Sequence, residues 1–295
     1  RLWQGSAPLL FVSDKKPIGD KAAVAAVFEE SRKLAVAAPK DQGTAKFAYD
    51  SFGQPGKIVE DREIADLGIR TLRFANNVRL NIKRTDFEKG SVRFQIRVAG
   101  GALALPRDKP GMPTLLSAVS SLAALEKHSF EELKLILSGH TVTAGFTVEE
   151  DAFVARGATS AGDLALQMKL SAAFFTAPGY REEADSRWQS IVPVIDSQVR
   201  STAQQLASAK APTILADGDQ RFGLADAPAL AQRNLTEARA ALAPLFANAP
   251  IEIGLVGDLD EARAIETVAR TFGALPPRQA VAPDYSAERA ARFRT

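Results

Sequence analysis

The sequence predicts an α+β fold, a sandwich with helices on one face of a sheet. Three observations carry this. Apolar/polar alternation clusters in two regions, 72–98 and 142–156. Helical periodicity fills much of 164–246, and a last strand at 250–257 precedes one amphipathic helix. Strands and helices are partly segregated along the chain, which favours helices gathered on one side of the sheet.

The elements follow in order. Ala7 to Ser13 is a short apolar strand without a nearby partner. Asp20 to Ala38 is Ala-rich, with Val24, Val27, Phe28 and Leu34 at helical spacing, and Pro39 stops it. Gln42 to Glu63 is rich in Gly, Pro and charge and reads as a linker. Leu72–Phe74 and Val78–Lys83 then form a hairpin around Asn76-Asn77, because Asn tolerates the left-handed backbone of tight turns. Val92–Val98 alternates again and ends at Gly100-Gly101. Helices are expected over Leu115–Leu125 and Phe130–Leu137.

Thr141–Val148 alternates cleanly and turns through Glu149-Glu150-Asp151 into Phe153–Arg156. Ser160 and Asp163 have the spacing of a capping box before a helix at Leu164–Phe175. One long helix, Glu182–Ser208, is expected to be disturbed by Pro193. Another covers Glu237–Phe246. Pro250–Gly257 is a strand, Asp260–Phe272 a helix stopped by Gly273, and Pro276–Thr295 a second linker. Four segments result: 1–18 as the end of a preceding domain, 19–65 as a helical linker, 66–277 as one domain, and 278–295 as a linker onward.

Composition excludes several functions. With 37 Lys+Arg against 35 Asp+Glu the net charge is only +2, which argues against a dedicated nucleic-acid binder. The absence of cysteine removes disulfides, thiolate metal sites and cysteine nucleophiles. No apolar run approaches the roughly 18 residues of a membrane span. The two histidines, His128 and His140, read as a helix-end residue and a turn residue rather than ligands. Glu149-Glu150-Asp151 reads as a charged turn, and Asp217-Gly218-Asp219 as a loop without the later bidentate Glu of a calcium site. Arg70, Arg73, Arg79, Lys83, Arg84, Arg93 and Arg97 make the first sheet region basic. Of these, Arg79, Lys83 and Arg93 are the candidate substrate-binding residues, able to attract peptide carboxylates or a partner surface.

Four pieces, in order over roughly 66–277, resemble one domain of the insulinase-like M16 zinc metallopeptidases, the inverted zincins. They are Arg73–Leu80, like the family's first hairpin; Thr85–Gly90 leading to Val98-Ala99-Gly100-Gly101, like its Gly-rich step; Leu164–Tyr180, like its helix followed by Pro-x-Phe/Tyr; and Ile253–Asp258 with Phe272-Gly273, like its closing strand and helix. The resemblance implies a two-layer sandwich with a mixed, mostly antiparallel sheet.

The family holds zinc with His-x-x-Glu-His on the helix after the Gly step. Two His one turn apart reach one ion, and the Glu activates its water. Here the matching positions are Thr114, Ser117 and Ala118, none of which can serve. A third ligand would fall within Glu182–Asp196. The resemblance therefore implies a non-catalytic domain without zinc or another cofactor of its own. Zinc is expected in a catalytic half, on the same longer chain or a separate subunit, with a peptide as substrate. The start at Arg1-Leu2-Trp3, without an initiator Met, suggests a piece of a longer chain, and two-half bacterial relatives imply an exported, periplasmic parent. The other reading is a structural or assembly subunit that kept the fold without peptidase work.

Overall fold

Side-chain alternation along the strands decides which face of the sheet is covered. In the computed structural model, residues 9–13, 19–34 and 46–292 are described, without side chains for 119–122 and 292. They fall in two units, divided between Gly43 and Thr44. In the first, α1 (Lys21–Lys33) is capped by Asp20, whose carboxylate accepts from Ala23 N at 2.8 Å. The rest of the expected helix, 35–38, lies outside the described residues. Residues 9–13 form no strand, and Leu9 and Phe11 are exposed. Ala7 and Pro8 lie outside the described residues.

The second unit holds strands β1 (Ile58–Ile64), β2 (Ile69–Phe74), β3 (Arg79–Arg84) and β4 (Ser91–Ala99), then helices α2 (Met112–Leu122) and α3 (Phe130–Ile136). Next come β5 (Thr147–Val148), β6 (Ala152–Ser160), α4 (Leu164–Thr176), α5 (Glu182–Val199) and α6 (Ala203–Leu215). The chain continues with α7 (Ala227–Ala231), α8 (Leu235–Asn248), β7 (Ile251–Gly257), α9 (Glu261–Arg270) and α10 (Ser286–Arg292). The strands form one sheet in the order β1-β2-β3-β7-β4-β6-β5, with only β3 and β7 parallel. Leu80, Ile82, Phe94, Ile96, Ile253 and Leu255 point to one face, where they share a core with Leu115, Met168, Trp188, Leu242 and Val268 of the helices. The α+β sandwich with a mixed, mostly antiparallel sheet stands as expected.

The hairpin turn forms where expected, with Asn77 at φ 69°. It also does more than turn the chain. The buried Asn76 amide donates to Phe272 O and Leu275 O, both at 2.9 Å, and Asn77 donates to Arg278 O at 2.7 Å. The turn thus fastens the segment after α9.

Four expectations need correction. The connector expected up to residue 65 contains β1, and its Phe47 and Tyr49 are buried against Leu125, Leu133, Leu170 and Phe174. Residues 141–146 are not a strand, because side chains of α4 and its approach take their backbone groups. Asp163 accepts from Thr141 N at 2.9 Å, and Gln167 brackets Thr143 N and O at 2.7 and 2.9 Å. The long helix breaks at 200–202 rather than at Pro193. Buried Trp188 and Val192 hold α5 through the proline, whereas Thr202 caps a new helix by accepting from Gln205 N. The tail expected to be a linker from 278 carries the buried Arg278 and ends in α10.

The 46–50 segment is seated by His128, with a consequence for pH. Its Nε2 accepts from Ala48 N at 2.9 Å, and its ring stacks on Phe47 at 5.6 Å. Tyr49 flanks it edge-on, and Tyr49 Oη accepts from Lys127 N at 2.9 Å. Burial lowers the His128 pKa; Glu132 opposes this, while Lys127 and Arg181 add to it. Protonation would place a donor against the Ala48 donor. The docked state therefore binds the proton less well than the undocked one, whose His titrates near pH 6.5. Its stability is full above about pH 6.5 and is lost as pH falls toward the depressed value. Amide exchange across 46–50 is expected to accelerate between about pH 7 and about pH 5, the range in which His titrates. Unchanged protection after correction for intrinsic exchange would contradict it.

Candidate functional site

Helix α2 is the place to look for the chemistry that the Gly-step motif supports in the resembled family. It is anchored by buried Met112, Leu115 and Leu116, which leaves Thr114, Ser117 and Ala118 half-buried. Thr114 and Ala118 lie one turn apart, so the structure brings the degenerate positions together on one helix. Ser117 Oγ accepts from Val148 N at 3.2 Å, which ties the helix to β5. Here the hydroxyl is a structural bond to a strand end.

Two of the acids of α5, the stretch in which a third ligand would fall, are engaged elsewhere. Asp185 accepts from Leu235 N at 2.8 Å and helps start α8, and Asp196 pairs with Arg200 at 2.9 Å. Among the described residues, no three His, Cys, Asp or Glu side chains converge as a metal would need. His128 is taken up by Ala48. His140 Nδ1 lies 2.7 Å from Asp163 Oδ1, and Ser160 Oγ donates to the same carboxylate at 2.9 Å. The backbone of Thr141, with His140 and Ser160, holds the Asp163 carboxyl below its usual range. This Ser–Asp–His grouping was not visible in the sequence, and it is not a nucleophile device. The hydroxyl sits on the carboxylate rather than the imidazole, so the Ser–His bond of a nucleophile and its base is missing. Its effect is to pin 140–141 onto the start of α4. Of the expected capping box, the bond from Asp163 N to Ser160 Oγ at 3.0 Å forms, but the Asp163 carboxylate takes the Ser160 hydroxyl instead of its backbone N–H, and Asp163 itself stands at the N-cap of α4.

The acidic turn 149–151 is charge-balanced by arginines from three directions. Arg97 reaches Glu149 at 3.1 Å and Asp151 at 2.8 Å. Arg289 of α10 reaches Glu150 at 2.6 Å and Asp151 at 2.9 Å, and Arg156 pairs with Glu149. Asp219 belongs to an arginine as well, at 2.7 Å from Arg221. Both acidic stretches are therefore ion-pair turns rather than cation loops.

The basic candidates lie on the sheet face opposite the core. Lys83 and Arg93 both register with Val256 on the strand between them, and Arg79 and Arg97 both register with Glu252. Arg93 pairs loosely with Glu88 at 3.4 Å, and Arg73 pairs with Glu60. Among the described residues Arg79 and Lys83 make no ion pair. The structure thus gathers Arg79, Lys83 and Arg93 on one face, with much of the surrounding positive charge neutralised.

No helix among the described residues is long and apolar enough to cross a membrane. No protein-family model matches the sequence, and no curated protein matches it. Solved structures do match. The periplasmic protease PqqL from Escherichia coli aligns over 90% of this chain and 29% of its own, with TM-score 0.66 and 18% identity. The ferredoxin protease FusC, solved with Arabidopsis ferredoxin, aligns over 91% of this chain and 30% of its own, with TM-score 0.65 and 17% identity. A peptidase M16 inactive domain from Pseudomonas fluorescens aligns over 73% of this chain and 53% of its own, with TM-score 0.58 and 19% identity. The chain spans less than a third of the two proteases, and it has the fold of the M16-type proteases.

Proposed function

We propose that this chain is the non-catalytic half-unit of an M16-type zinc metalloendopeptidase. It closes the peptide chamber of a catalytic half and helps hold the substrate there. The observation that supports this most is α2: the helix keeps its place and its buried face, but carries Thr114, Ser117 and Ala118 where the family's ligands and base would stand. The arginines and lysine on the open sheet face add a surface that would attract peptide carboxylates or the other half. Zinc belongs to the catalytic half in this reading, either upstream on a longer chain or on a partner subunit. The likeness to a periplasmic protease supports an exported parent.

The test is metal content followed by reconstitution. After equilibration with zinc and removal of the excess, the purified chain is expected to retain almost none. Mixed with the catalytic half it is expected to raise peptidase activity above that of either piece alone. Stoichiometric zinc that is lost on replacing His128 or His140 would overturn the reading. A partner half whose own His-x-x-Glu-His is degenerate would favour a structural or assembly subunit.

A further inference from the structure

A cavity of about 500 Å³ opens between the end of α4, the exposed side of α8 and the segment after α9. Its walls are Phe175, Pro178, Phe246 and Pro277, with the hydroxyl-bearing ring of Tyr180. Three charged side chains line it: Glu126, Arg239 and Arg278. Nothing in the reading above assigns it a role.

Arg278 is the informative residue. It is only 5% exposed, yet no carboxylate among the described residues pairs with it. One guanidinium nitrogen, Nη1, donates to Phe246 O near the end of α8. Nε is buried without a partner, and Nη2 has none among the described residues. Nε is shut off from solvent, which leaves Nη2 as the guanidinium nitrogen open to a charge-assisted bond to a carboxylate. Burial lowers the Arg278 pKa to about 10, the mark of a cation held without a counterion. Burial also pushes Tyr180 up to about 12, so its phenol stays neutral and can donate. A buried, unpaired arginine is costly unless something neutralises it.

We propose that this cavity binds a carboxylate carried on an apolar body, with Arg278 as the partner of the anion and the rings of Phe175, Tyr180 and Phe246 around the apolar part. Tyr180 donates a second hydrogen bond, and Arg239 at the exposed rim adds positive charge on entry. Two sources share this chemistry, the C-terminal residue of a peptide and a small free aryl or alkyl acid. The site stands on its own geometry, whether or not the domain belongs to a peptidase.

The experiment is calorimetric titration of the whole chain with N-acetyl-phenylalanine, its amide, and a short glycine-rich peptide ending in phenylalanine. The acid is expected to bind, with the amide about tenfold weaker or more, because a charge-assisted hydrogen bond is lost. Ala243 lines the cavity on the exposed side of α8, so Ala243→Trp fills the space without disturbing the core. This variant is expected to abolish binding, and Arg278→Gln to do the same. If Arg278→Gln fails to fold, the amide and Ala243→Trp still decide. Much tighter binding of the peptide than of the small acid supports a peptide C-terminus, and equal binding supports a small acid. No binding at millimolar concentration, an amide equal to the acid, or an unaffected Ala243→Trp would each overturn the proposal.

Discussion

Gly101→Ala is expected to destabilise the domain by about 3 kcal/mol or more. Gly101 sits at φ 59° and ψ −155°, a region open in practice only to glycine. A Cβ there would overlap Ala152 N and Glu149 O, both backbone atoms of the β5–β6 turn. The turn cannot give way cheaply. Gly100 N donates to Asp151 O at 2.8 Å, Ala102 N to Glu149 O at 2.8 Å, and Leu103 N to Glu150 O at 2.9 Å. Relieving the overlap means breaking part of this backbone clasp between the end of β4 and the turn. Gly90 is the control. It also has positive φ, 72°, but nothing lies within 4 Å of an added Cβ. Gly90→Ala is therefore expected to cost only the conformational penalty, about 1–2 kcal/mol. Urea unfolding of the two variants measures the difference, and equal losses would show that the clasp does not resist.

That clasp also shows what the sequence could and could not convey. Gly100-Gly101 is legible as a place where the backbone steps, because glycine pairs are costly unless a special conformation is needed. What the step touches is fixed 50 residues later, in a turn whose own residues announce only charge. Alternation in 72–98 identified strands correctly because each has one buried face, so side-chain period and burial coincide. It failed at 141–146, where Asp163 and Gln167 replace ladder partners with side chains. Charge misled at both ends of the domain. Residues 42–63 look like linker because β1 is an edge strand with polar residues on both sides, while Phe47 and Tyr49 alternate with exposed neighbours over only five residues, too short a stretch to read as an element. Pro193 misled in the opposite direction, because packing of Trp188 and Val192 outweighs a proline penalty of about 3 kcal/mol. The candidate site was legible only through resemblance: Thr114, Ser117 and Ala118 carry no signal of their own. Arg278, which builds the cavity, had none either, since an unpaired buried cation is a property of three dimensions, and Tyr180 was legible only as the end of the Pro-x-Phe/Tyr step.

Arg221→Met is expected to cost about 3–5 kcal/mol, the penalty of stranding a buried charge. Arg221 is 4% exposed and bonds four residues. Nη1 donates to Leu103 O at 2.7 Å and Leu105 O at 3.3 Å, just past the Gly step. Asp219 accepts from Nη2 at 2.7 Å, and Glu288 of α10 at 2.5 Å. Burial opposes the charge on Asp219, but its bonds to Arg221 outweigh that and hold the carboxyl below its usual range. Glu288 is lowered through Arg221 and then Arg107. Both groups are acids with depressed native pKa values, so their contribution is full above about pH 5, clear of the ordinary Asp and Glu values, and is lost as pH falls through the native values. Methionine fills the stem's volume but leaves Asp219 without its main partner, with Arg107 3.8 Å away as the remaining cation. Asp219→Asn added to Arg221→Met is expected to recover part of the loss, because the stranded charge is then gone. Glu288→Gln separates the roles: it keeps Arg221 paired with Asp219 and is expected to cost about 1 kcal/mol or less, given the partial exposure of Glu288. Its effect is expected as faster amide exchange confined to α10, which is then held by Arg289 on Glu150 and Asp151. In Arg221→Met, by contrast, exchange rises in α10 and at 103–105 together. If exchange in Arg221→Met rose in α10 alone, the arginine would be a latch for the last helix and not a pillar of the Gly step.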